Sequence, residues 1–89
     1  MKAVITVTAK VAKGIIAKVS AKVSEYEANI IDISQSVVGE YFAMIMLVDL
    51  TDCTLPFDRL SQLLKEKGAE RGLDIHVQRQ DIFEAMHRI

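Results

Sequence analysis

An α+β sandwich with the element order βαββαβ is the fold this sequence predicts, and three observations carry it. Four segments alternate apolar and polar residues, or carry apolar residues on both faces, with the two-residue period of a strand. Two others repeat apolar residues at the three-to-four spacing of a helix. No internal repeat, low-complexity segment or linker interrupts them. Each βαβ half needs a right-handed crossover. The two halves interleave most simply as a four-stranded antiparallel sheet with both helices on one face, the ferredoxin-like arrangement, with strands two and four at the edges. A short C-terminal helix follows.

The first strand is read over residues 3–8, where Ala3, Ile5 and Val7 alternate with Val4, Thr6 and Thr8. After the loop "AKVAKG", Ile15, Ile16, Val19, Val23 and Tyr26 form the apolar stripe of the first helix, with Lys18, Lys22 and Glu25 outside it. Residues 30–38 alternate again, Gly39-Glu40 supplies a tight turn, and Tyr41 to Leu50 is apolar on both faces, as a central strand requires. Thr54 and Pro56 open the second helix, in which Thr is a capping residue and Pro suits the first turn. Phe57, Leu60, Leu63 and Leu64 face inward, and Gly68 and Gly72 are its candidate stops. Leu73, Ile75 and Val77 alternate with Asp74, His76 and Gln78 in the last strand. The tail "QDIFEAMHRI" spaces Asp81 and Glu84 as a capping box before Ile82, Phe83, Met86 and Ile89. A helix of two turns is unstable alone, so the tail must dock.

At 89 residues the chain holds one core, and we expect a single domain over 1–89, with 81–89 as its helical tail. Hydrophobic residues make up 51% of it, which argues against disorder, yet no apolar run approaches the roughly 18 residues of a membrane span. The N-terminus reads as a strand without a signal-peptide core, so a cytoplasmic protein with no membrane partner is expected. Cys53 is the lone cysteine, which excludes a disulfide framework, a dithiol redox pair and a cysteine zinc cluster. The net charge of -1 gives no global attraction to nucleic acid. Lys2, Lys10, Lys13, Lys18 and Lys22 nevertheless all precede the first acid, Glu25, and make the N-terminal region a basic segment.

No catalytic constellation emerges. His76 and His87 are eleven residues apart, without a further His or Cys at ligand spacing, so no metal is expected. Ser20, Ser24 and Ser61 have no neighbouring His. The first loop has lysines but no Arg to hold a transferring phosphate, and the first strand has no aromatic residue on which RNA bases could stack. Binding without chemistry remains. Two helices cover only one face of a sheet whose third strand is apolar on both, so the tail or a second copy must cover the other.

The stretches "KAVITVTAK", "KGIIAKVS", "ANIIDISQSVVGEYFAMIMLV" and "IFEAMHRI" resemble the ACT domain. The nearest likeness is to its small stand-alone members and to the N-terminal part of glycine cleavage system transcriptional repressors. The run Asn29, Ile30, Asp32, Ile33, Ser34, Gln35 is the most specific part. The resemblance implies a regulatory module that pairs side by side through edge strands, with an amino acid or related small carboxylate bound where the first loop of one subunit meets the second strand of its partner. Carried onto this chain, the site residues are Ala12, Lys13, Gly14 and Ile15, where helix-start amides favour a carboxylate, and Asn29, Ile30 and Asp32 at the join of helix and strand. The chain departs from the family pattern at Ala9 and Val11, where Gly and Asp are usual, and at Glu27, where Gly is frequent.

The expected protein is therefore a non-enzymatic sensor without a cofactor. It would be a homodimer that controls some further protein and makes no direct contact with nucleic acid. The alternative is a structural or protein-interaction module with a degenerate pocket, and an anion-handling enzyme is a distant third.

Overall fold

The structure, a computed structural model, describes residues 1–10 and 14–86. The elements follow as β1 (Lys2–Lys10), α1 (Ile15–Glu25), β2 (Asn29–Val38), β3 (Tyr41–Asp49), α2 (Phe57–Glu70), β4 (Asp74–Arg79) and α3 (Gln80–Met86). The sheet order is β2-β3-β1-β4, all neighbours antiparallel, so β2 and β4 are the edges as the alternation predicts.

Register explains which residues are inside. Ala3, Ile5 and Val7 stand opposite Val48, Met46 and Met44, and residues paired across a ladder share a face. All six are buried, together with Val19 and Val23 of α1, Leu60 and Leu64 of α2 and Ile75 of β4. Each large aliphatic chain so buried contributes about 1.5–3 kcal/mol. Tyr41 and Phe42 separate as alternation demands, with Tyr41 exposed and Phe42 buried.

Helix ends are set by the backbone. At the end of α1 the amide of Ala28 donates to the carbonyl of Val23 and that of Glu27 to Ser24, the paired closure of a Schellman motif. The residue in the left-handed position is Glu27, with φ 62°. α2 closes identically, Leu73 onto Gly68 and Gly72 onto Ala69, with Gly72 at φ 73°. Gly72 is thus the stop that the sequence indicates, whereas Gly68 lies inside the helix. A Cβ on Gly68 would stand 2.7 Å from Ile75 Cδ1, so the glycine lets helix and strand approach.

Two capping expectations are corrected. Pro56, not Thr54, occupies the N-cap position of α2, and no side chain caps it. Thr54 instead donates its amide and its hydroxyl to the Tyr26 carbonyl, tying the loop after β3 to the end of α1. Nor do Asp81 and Glu84 form a capping box. α3 begins one residue earlier, Asp81 accepts the adjacent Ile82 amide at 2.9 Å, and Glu84 accepts from Gln80 at 3.2 Å.

The tail does dock, on β1 and β4. Gln78 donates to Met86 Sδ at 3.5 Å, and Val4, on the face away from α1 and α2, is buried. Phe83 is the half-buried residue of this contact, while Ile82 and Met86, which the sequence also offers as apolar tail residues, are exposed. Val38, Tyr41 and Ile45 stay open on the same face. His87 and Ile89 lie outside the described residues.

Candidate functional site

The first half of the expected site sits where α1 begins. Gly14 takes the N-cap position at φ 80° and ψ 10°, a left-handed conformation in which a side chain would be strained although space is open around it. Among the described residues no side chain caps the helix, and its first turn holds no acid to offset the positive end of the helix dipole at the amides from Ile15 onward. Ala12 and Lys13 lie outside the described residues.

The second half is the start of β2. Asn29 is exposed, stands opposite Asp49, and its amide side chain makes no hydrogen bond among the described residues. Ile30 is half-buried opposite Val48 and belongs to the margin of the core. A bulge at Ile31 interrupts the register, after which Asp32 pairs with Leu47 and faces the side away from α1 and α2. Asp32 Oδ1 accepts the Ile33 amide at 2.9 Å.

Asp49 is no competitor for Asn29. Its Oδ1 accepts the Thr51 hydroxyl at 2.6 Å and the Thr51 amide at 2.9 Å. The Thr51 hydroxyl first, then its amide, hold the Asp49 carboxyl below the usual carboxylate range, with smaller help from the N-terminal amino group and Lys2.

The two halves do not meet within one chain. Asn29 lines up through Asp49 with Lys2, whereas Gly14 follows Lys10 at the other end of β1. α1 lies between them, and its eleven residues span about 16 Å. An amino acid cannot bridge that distance, so Gly14 and Asn29 of the same chain cannot hold one ligand.

Alternation alone does not reveal a feature of β2. Ile33 and Val37 share the face of Met46 and Phe42, yet they are 38% and 59% exposed, so the helix layer, although α1 touches β2, leaves this part of the edge strand uncovered. The available signal was the arithmetic of four strands under two helices.

Comparison with known proteins agrees with this architecture. A family model described as the ACT domain matches residues 2–78. A UPF0237 protein of Clostridium acetobutylicum is 47% identical over the full length of both chains. An ACT domain protein from Streptococcus pneumoniae superposes with a TM-score of 0.82 at 42% identity, covering 98% of each chain. A structure assigned to a glycine cleavage system transcriptional repressor gives 0.74 at 25% identity, over 89% of this chain and 45% of that one. With the sheet order, the paired helices and a matching model along most of its length, the chain belongs to the ACT domain family.

Proposed function

We propose that the protein is a non-enzymatic regulatory sensor that binds an amino acid or a related small carboxylate between the subunits of a homodimer. ACT domains are typically small-molecule-binding regulatory modules, which supports the regulatory part of this reading. The observation that carries the rest is the separation of Gly14 from Asn29. Antiparallel pairing of two β2 edges about a two-fold axis sets the start of one strand beside the end of the other. Asn29 then lies toward the end at which Gly14 of the partner subunit stands. The ligand carboxylate would sit over the amides opening α1, and Asn29 would hydrogen-bond its polar head.

The composition of the β2 edge supports such pairing. β2 is ten residues long, with no Lys or Pro to guard it and Asp32 as its sole charge, and it shows Ile33 and Val37 to solvent. Ala9 and Val11, in place of the usual Gly and Asp, favour a second reading, in which the dimer is structural and its pocket empty. A melting-temperature screen against the amino acids separates the two, since a ligand at 100 times its dissociation constant stabilises by about 2.7 kcal/mol. A shift with one or a few of them supports the sensor, and none with any supports the structural module.

A further inference from the structure

Between α1 and α2 lies a cleft of about 310 Å³, a size at the lower end of small-molecule pockets. Its floor is apolar: Val19, Leu64 and Ile75 line it, and Gly68 adds no side chain to fill it.

The rim is cationic. Lys22 pairs with Glu25 at 3.3 Å and Lys67 with Glu70 at 3.9 Å, which uses both acids that line the cleft. Lys18 and Arg71 remain, and neither has an anionic partner among the described residues. They also belong to the same end. α1 runs away from the Lys10 end of the sheet, and α2 runs back to it, since Asp74, just beyond α2, pairs with Thr8.

We propose that this cleft is a second ligand site, for a small organic anion whose apolar body lies on the floor and whose carboxylate lies between Lys18 and Arg71. An apolar floor with two unpaired cations at one end complements such an amphiphile and discriminates against a neutral analogue of the same shape. The site is independent of the β2 edge, because its lining comes from α1, α2, the turn after α2 and β4, and from no residue of β2. It is also distinct from the amino-acid site proposed above, which requires Asn29.

The test is an amide-resolved NMR titration of the full chain with phenylacetate, 4-phenylbutyrate and octanoate at millimolar concentration, with phenylacetamide as the neutral control. Shifts concentrated in residues 18–25 and 64–75, with the acids binding more tightly than the amide, are the expected result. Lys18→Gln combined with Arg71→Gln changes exposed side chains only, and should weaken the acids about tenfold while leaving phenylacetamide unaffected. The proposal is overturned if none of the three acids perturbs the cleft. It is equally overturned if acid and amide bind alike, if the double variant binds the acids unchanged, or if shifts fall on β2 or on the sheet face around Tyr41 and Ile45.

Discussion

Gly14 and Asn29 bracket α1, one at its N-cap and the other just past its closing turn, so the helix itself holds them about 16 Å apart. Joint use of the two in one site would therefore need two chains. The exposed β2 edge would supply the means, because strand pairing there would satisfy unpaired backbone groups and cover Ile33 and Val37.

Charging that edge should separate the subunits. Ile33 and Val37 are exposed positions outside the buried core, so Ile33→Lys with Val37→Lys should leave the fold intact. Losing the burial of two aliphatic side chains weakens association by about 3 kcal/mol or more, roughly 100-fold or more in the dimer constant. Sedimentation equilibrium of wild type and variant measures this, and equal constants would place the interface elsewhere.

Glu27 holds a backbone conformation that costs a residue with a side chain about 1–2 kcal/mol. Glu27→Gly should therefore stabilise the protein by up to about 1 kcal/mol, the gain being partly offset by the freer unfolded chain. Glu27→Val should destabilise it. Urea denaturation of the two variants should move the midpoint in opposite directions.

Gly68→Ala should behave unlike most glycine replacements in helices, which stabilise by about 1 kcal/mol. The new methyl would press on Ile75 Cδ1 and Cγ1 at 2.7 and 2.8 Å, and on the Leu73 carbonyl at 3.2 Å. A loss of about 1–3 kcal/mol is expected. Adding Ile75→Val, which removes the atom met first, should recover part of that loss in the same denaturation experiment.

Element order, strand alternation and the central position of β3 were legible in the sequence because burial follows period directly. Helix termini were less so. Glu27 does not announce a left-handed backbone, and Thr54 turned to the Tyr26 carbonyl because that acceptor comes from a residue 28 positions earlier. The site was legible as a set of residue types but not as a place, since Asn29 looks adjacent to α1 in sequence and lies at its far end from Gly14. The exposure of Ile33 and Val37 depends on how far two helices reach across four strands, which no local pattern encodes.

Asp49 provides a pH marker for the Asn29 end. Its carboxyl is held below the ordinary aspartate range by Thr51, so its contribution to stability is fully present above that range and is lost as pH falls through the lowered value. Thr51→Ala should raise the Asp49 titration toward the ordinary range, seen by NMR of its side-chain carboxyl carbon. The part of the acid-induced loss of stability that Asp49 supplies should then shrink, because its folded and unfolded forms would titrate together. An unmoved titration would mean that Thr51 is not what holds it.

The central claim, a ligand site shared between chains, is tested most directly by mixed dimers. One chain carries Asn29→Ala, the other Gly14→Val, and each forms defective sites as a homodimer. In the mixed dimer one site unites the intact Gly14 of the first chain with the intact Asn29 of the second, and the other site combines both defects. Calorimetric titration with the amino acid that gives the largest melting shift should find half the wild-type capacity at wild-type affinity. No restored binding in the mixed dimer, or no amino acid that binds the wild type at all, would contradict the account.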